Sequence, residues 1–236
     1  MRIVALSDQH GQLPEIPLCD LLIIAGDVCP DRIGPFLGMH SPEQQKSWFV
    51  RQVRPWLAAA PATHKILTWG NHDWCGQLCS FRHDSPSEAS TTDLQILVDE
   101  ATTVVADDES ITIWATPWSN QFMDWAFMKA PEELEAVYAE IPKSVDVLVS
   151  HQPPYGHCDW TFDAHSGRPG HVGSRELLTA IERVQPTLVI CGHIHNGYGR
   201  SEHRGIPIYN VSVVDEEYRL VHHPTLIELT RGRQIG

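Results

Sequence analysis

Five runs of apolar and β-branched residues recur along this chain: Ile3 to Leu6, Leu21 to Ile24, Ile66 to Thr68, Val145 to Val149 and Leu188 to Ile190. Each is nearly continuous rather than alternating, which suits strands buried on both faces. Helical patterns fall between them at Glu43 to Leu57, Glu132 to Ala139 and Ser174 to Val184; in the last, Leu177, Leu178, Ile181 and Val184 share one face. Strand and helix in alternation imply α/β layering. Further short strands are expected at Thr103 to Val105, Ile111 to Ala115, Pro207 to Val211 and Thr225 to Leu229. With no long helix between the last of them, they suggest a second sheet packed on the first. Two polar segments, Gln77 to Asp93 and Gly156 to Gly173, exceed ordinary connections and read as loops over a site, and the tail from Arg231 to Gly236 reads as frayed.

A chain of 236 residues, 42% of them hydrophobic, can build one large domain over 1–236. No apolar run reaches membrane-spanning length, and no small-residue cleavage site follows MRIVALSDQH, so neither a span nor a signal peptide is expected. The six cysteines are scattered; Cys75 and Cys79 are close but lack a second pair to complete a zinc site. Reduced thiols in the cytoplasm are the expectation. A net charge of -13 argues against a duplex nucleic-acid surface, whose affinity rests on Lys and Arg neutralising phosphates. An acidic chain still handles a phosphate where bound metal supplies local positive charge.

Every one of the five runs stops at Asp, Asn or His: VALSDQH, IIAGDV, LTWGNHD, VLVSH and VICGHIH. In open α/β sheets ligands bind beyond the carboxyl ends of strands, so these ends can converge on one crevice. Asp8, Asp27 and Asn71 offer oxygen, and His10, His151, His193 and His195 offer imidazole; such a set without thiolate favours Mn, Fe, Zn or a similar divalent ion. Seven ligands exceed one tetrahedral ion, but shared between two ions with Asp27 bridging they give each four, the arrangement used for in-line displacement at phosphorus. On extended backbone, residues two apart point the same way, which pairs Asp8 with His10 and His193 with His195. Adjacent residues diverge, so Asn71 as a ligand leaves His72 for the leaving group. Gly26, Gly70 and Gly192 ease close backbone approach. Any one of these motifs alone fits a helix or turn cap; packing gives no reason to place all five at strand ends.

The series DQH, GDV, GNHD, SHQPP and GHIH resembles the DxH, GDxx, GNHD/E, xH and GHxH motifs of the calcineurin-like metallophosphoesterase superfamily, over residues 8 to 195. The order GDV, GNHDW, ATPWSNQF, SHQPPYG, VGSRELL and GHIHNGYG is similar to its metallophosphoesterase-domain-containing branch, which is associated with phosphodiesterase activity, cyclic nucleotides included. The resemblance implies a four-layered αββα sandwich, two mixed β-sheets flanked by helices. It also implies a dinuclear site with Asp8, His10 and His195 on the first ion, Asp27 as bridge, and Asn71, His151 and His193 on the second. Mn²⁺ is the ion most expected, with Fe, Zn, Ni and Mg as alternatives. Some relatives carry Gly at the first position of GHxH; His193 here implies full occupancy. Gln9 departs from the small or β-branched residue common in DxH and should face away. In protein phosphatases of the superfamily an Asp-Arg pair after GD helps activate the histidine; here CysPro shifts Asp31 and Arg32 by one, which favours a solvated loop.

The implied reaction is in-line attack on phosphorus by water acidified between two ions, with Asp27, Asn71 and His72 at the centre and His72 protonating the departing alkoxide. Asn71 and His72 would also meet the substrate, with Trp118, Asn120 and Arg168 as further contacts and Asn196 as a lesser one. Trp74, Trp118, Tyr155, Trp160 and Tyr198 lie near the motifs and either stack on a nucleobase or pack internally. Asp73 or backbone carbonyls would orient the imidazoles, although Asp73 also fits a helix cap. His157, His165 and His171 read as exposed loop histidines, and His40, His64, His83, His203, His222 and His223 have no assigned role. The expectation is a small nucleotide-like phosphodiester substrate. Its rivals are phosphomonoesterase or protein phosphatase activity, a non-catalytic scaffold, and a polynucleotide nuclease subunit, which would need a basic groove.

Overall fold

The computed structural model describes residues 1–31, 41–79, 94–106, 109–163 and 166–229. Arg32, His40, His83, His165, nearly all of the segment expected as a loop from Gln77 to Asp93, and the tail from Arg231 lie outside the described residues.

The chain opens with β1 (Arg2–Leu6) and β2 (Cys19–Ala25). Helix α1 (Pro42–Trp48) continues through a π turn, Phe49–Val53, into α2 (Arg54–Ala59). Ser41 and Gln44 form a capping box with Pro42 at the first turn, a strong start signal. Pro55 has no N–H to bond the carbonyl four residues back, and just before it the turn widens so that Arg54 N–H reaches the Phe49 carbonyl. There follow β3 (Ala62–Thr68), α3 (Trp74–Leu78), β4 (Leu94–Ile96), β5 (Glu100–Ala106), β6 (Glu109–Thr116), β7 (Ser119–Asn120) and β8 (Met128–Lys129). The remainder comprises α4 (Pro131–Ala139), β9 (Val147–Ser150), β10 (Trp160–Asp163), β11 (Arg168–His171), α5 (Arg175–Val184), β12 (Leu188–Cys191), β13 (Gly199–His203), β14 (Ile206–Asn210) and β15 (Thr225–Glu228). No helix among the described residues is long and apolar enough to cross a membrane.

Two mixed sheets result, in the orders β15-β1-β2-β3-β4 and β13-β14-β12-β9-β6-β5. Because a strand's side chains alternate, each buried strand feeds two cores. Ile3, Ala5, Leu21 and Ile23 face Ile113, Val147, Val149 and Ile190 across the inter-sheet layer. Val4, Leu6, Leu22 and Ile24 point the other way, onto Phe49, Val53 and Leu57 of the first helical layer. On the far side Leu148, Val189 and Ile208 are covered by Leu134 and Tyr138 of α4 and Leu177 and Ile181 of α5. The layers therefore run helix, sheet, sheet, helix, as the α/β reading expects.

Sheet membership differs from the sequence-based expectation in two respects. β9 and β12, two of the five buried runs, lie in the second sheet. β15 does not join the second sheet but pairs antiparallel with β1, Ile3 opposite Ile227. Apolar pattern identifies a strand but not its partner. The segment from Gly156 to Gly173 is not all loop: it contains the ribbon β10–β11, whose half-exposed, polar composition hides it from apolar periodicity. β1, β2 and β3 are parallel to one another, as are β6, β9, β12 and β14, so the strand ends carrying the polar motifs share an edge.

Candidate metal centre

The loops leaving β1, β2, β9 and β12 are zipped together by their backbones: Asp8 N–H bonds the Gly26 carbonyl (3.0 Å), His10 N–H the Asp27 carbonyl (3.0 Å) and Gly192 N–H the His151 carbonyl (2.8 Å). Asp8, His10, Asp27 and His193 have φ of 56°, 44°, 53° and 67°. Left-handed backbone costs a non-glycine residue on the order of 1 kcal/mol or more and persists only where its surroundings impose it. The extended-backbone argument for the pairs Asp8/His10 and His193/His195 therefore fails, because left-handed turns aim these side chains.

Among the described residues three groups of donor atoms gather within 4.8 Å: Asp8, His10 and His195; Asp27, His151 and His193; and His10, Asp31 and His72. Asp27 lies between the first two, its Oδ2 3.2 Å from His151 Nε2 and 3.9 Å from His10 Nε2. Asn71 Oδ1 is 2.9 Å from His151 Nε2. His193 and His195 fall in different groups.

Backbone carbonyls orient two of the rings: His151 Nδ1 donates to Ala25 (2.9 Å) and His195 Nδ1 to Asp215 (3.0 Å). In the uncharged rings Nε2 is then a lone pair. His195 Nε2 faces His10 Nε2 at 3.3 Å, and His151 Nε2 faces the Asp27 and Asn71 oxygens. At His151, where an acceptor is aimed at acceptors, the groups repel unless a proton or a cation lies between them. Carboxylate, amide oxygen and imidazole together fit divalent ions.

A proton can play that part at His151. Burial opposes its charge, but Asp27 and Asp8 outweigh burial and push the pKa up to about 9. Burial pulls His10 down to about 4 and, with help from His151, His193 down to about 3. At neutral pH metal loading must therefore expel at least about one proton, chiefly from His151, and affinity rises as pH climbs toward His151's value of about 9. Calorimetric Mn²⁺ titrations in buffers of different ionisation enthalpy read this number; zero protons released at pH 7 would take His151 out of the ligand set.

A family model for the calcineurin-like phosphoesterases matches residues 1–197. The chain belongs to that family. Membership makes it a metal-dependent phosphoester hydrolase. This phosphoesterase is 30% identical over 251 residues to human and mouse Metallophosphoesterase domain-containing protein 1, covering 98% of its own length and 72% of theirs. Its fold is shared with a crystal structure of a Thermus thermophilus protein at a TM-score of 0.54 and 14% identity, over 89% of this chain and 88% of that one.

In this phosphoesterase Asp73 neither meets an imidazole nor caps α3 with its side chain. Fully buried, it accepts N–H groups of Cys29 (2.8 Å), Gly70 (2.9 Å) and Val28 (3.3 Å), clamping the loop after β2 to the loop after β3. Burial and the charge of Asp27 push its pKa up to about 6. Asp73→Ala orphans these buried donors at about 1–3 kcal/mol each, so a stability loss of about 3 kcal/mol or more is expected on denaturant titration. A loss below about 1 kcal/mol would show the clamp to be dispensable.

His72 diverges from Asn71, and its Nδ1 meets Asp31 Oδ1 at 2.5 Å. Burial works to lower its pKa, but Asp27 and Asp31 raise it on balance. The shifted spacing suggested a solvated Asp31; the fold instead brings it onto His72. Trp125 stacks on the His72 ring at 4.2 Å, and Tyr218 stands edge-on to His10 at 4.6 Å. Sequence reasoning missed both, since Trp125 sits in no motif and Tyr218 lies beyond the last one.

Asp27, Asn71, His72, His193 and His195 floor a cleft of about 760 Å³, which Trp125, Tyr218, Asn120, Tyr155 and His171 also line. The other proposed contacts lie elsewhere. Trp118 donates its indole N–H to Asp99 (2.7 Å) and packs inward, Trp74 packs on the first core, Arg168 is exposed on β11, and Tyr198 stacks on His222 at 3.7 Å. Asn196 is exposed and does not line the cleft. Trp160 sits beside His171 at 4.9 Å, while His157 bonds His203 (3.1 Å). Gln9 turns away from the donors, its Nε2 on the Gln12 carbonyl.

Proposed function

We propose that this phosphoesterase is a two-metal phosphodiesterase for small nucleotide-like diesters, with Mn²⁺ as its preferred ion, working in the cytoplasm. The observation that carries the reading is the place of Asp27 Oδ2 between two donor groups at the floor of a cleft of about 760 Å³, a volume suited to both arms of a small diester. Two divalent ions held there would supply the acidification of a water and the positive charge to offset the negative charge gathering on the phosphoryl oxygens. Asp8, His10 and His195 would hold one ion, Asn71, His151 and His193 the other, and Asp27 both. Asn71 and His72 stand over the floor to meet phosphoryl oxygens. His72, fixed through Nδ1 by Asp31, keeps a proton on Nε2 for the departing alkoxide. Trp125 and Tyr218 offer aromatic walls that suit a nucleobase. All six cysteines are free thiols, in keeping with a reducing compartment.

Bis-p-nitrophenyl phosphate, with and without Mn²⁺, tests the reading, with metal-dependent release of p-nitrophenol as the expected result. Preference for p-nitrophenyl phosphate would replace it with a phosphomonoesterase. No metal-dependent turnover of either compound would return the non-catalytic scaffold.

A further inference from the structure

One wall of the cleft carries two polar side chains, each held by one end. Gln152 is 1% exposed; its Oε1 accepts the backbone N–H of Asn120, which fixes the amide's orientation, and its Nε2 has no hydrogen-bond partner among the described residues. An unpaired buried donor is costly, and a ligand acceptor would remove that cost. His171 donates from Nδ1 to Asp159 Oδ1 at 2.6 Å. Asp159 is 1% exposed, and its other oxygen accepts the N–H groups of Gly156 and Gly173, both at 2.9 Å. A carboxylate held this way can present His171 in only one orientation, and in the uncharged ring Nε2 is left as an acceptor. Asn120 ties the pair together: its backbone N–H serves Gln152, and its Nδ2 donates to the carbonyl of Val172, beside His171, at 3.1 Å.

We propose that Gln152 and His171 read a sugar hydroxyl on the substrate, whose oxygen accepts from Gln152 Nε2 and whose proton is donated to His171 Nε2. A hydroxyl both donates and accepts at a single atom, which matches a donor and an acceptor lining the same cleft; a carboxylate or phosphate dianion cannot donate, and an ammonium cannot accept. Asp159 and Asn120 are positioning residues. The inference rests on the phosphodiesterase reading above and narrows it to diesters with a hydroxylated arm. It also turns His171 from a loop histidine into a specificity-determining one.

The test compares the 5′-p-nitrophenyl phosphodiesters of uridine and of 2′,3′-dideoxyuridine, using the full chain loaded with Mn²⁺. They share a base and a leaving group and differ only in hydroxyls. The wild type should favour uridine by roughly 10- to 100-fold in kcat/KM, because the analogue leaves site groups unpaired. In Gln152→Leu and in His171→Phe the ratio should collapse to within about threefold, and His171→Gln, which retains an acceptor, should recover part of it. A purely structural role would depress both substrates together and keep the ratio. A wild-type ratio near one, or a ratio preserved in both variants, overturns the inference and leaves the phosphodiesterase reading intact. No metal-dependent turnover of either diester sinks that reading and the inference with it.

Discussion

His72→Ala is expected to lower kcat by roughly 10²- to 10⁴-fold while both metal ions stay bound. The imidazole lies beside the Asp27 group, whose Oδ1 accepts the His72 backbone N–H at 2.8 Å, but its Nδ1 is already engaged by Asp31 at 2.5 Å. That leaves Nε2 to carry a proton, which the balance of Asp27 and Asp31 over burial favours. What alanine removes is therefore the acid and not a ligand. Asp31→Asn should cost less, roughly 10- to 100-fold, because it disturbs only the orientation and charge of the acid. Metal content measured beside steady-state rates separates the cases. Wild-type turnover in His72→Ala would remove His72 from the mechanism, and loss of an ion would make it a ligand instead. Because Trp125 stacks on this ring, His72→Asn is the better-packed control.

The five strand ends were legible because each polar residue abruptly ends an apolar run, and parallel pairing sends such ends to one edge. Asp8, Asp27, Asn71, His151 and His193 could be found that way without knowing how any side chain points. Their aim was not legible. Asp8 and His10 meet through left-handed turns, and no periodicity argument covers a φ of 56° or 44° on a non-glycine residue. Equally hidden were groups that reach the centre by tertiary routes. Tyr218 comes from a turn whose carbonyl accepts Gln12 Nε2 at 2.7 Å, across most of the chain length. Asp31 arrives on a loop whose spacing argued against it. Asp159 looks like any loop aspartate until its burial and the N–H groups of Gly156 and Gly173 are seen. Sequence shows which residues are costly to bury; only the fold shows which partner offsets the cost.

A single methyl group at residue 70 should be enough to dismantle the centre. Gly70 needs no unusual φ, so its role is space alone: a Cβ there would strike Asp27 Oδ1, the Asp27 backbone nitrogen and His151 Cε1 together. None of the three can retreat cheaply. The Asp27 carboxylate is pinned by His72 N–H (2.8 Å) on Oδ1 and faces His151 Nε2 (3.2 Å) on Oδ2, while its backbone is held in a left-handed turn at φ 53°. His151 is fully buried, with Nδ1 fixed on the Ala25 carbonyl at 2.9 Å. Relief must come from displacing the carboxylate whose Oδ2 serves both donor groups, and a misplacement of about 1 Å is worth roughly 10²-fold in rate. Gly70→Ala should therefore lose at least roughly 10²-fold in kcat/KM and part of its bound metal. Overpacking of this kind costs about 1–3 kcal/mol. Gly170→Ala, where a Cβ meets nothing within 4 Å among the described residues, is the matched control and should behave as wild type. Full metal content and full activity in Gly70→Ala would mean that Asp27 has freedom to move, and that its place between the two groups is not what the centre depends on.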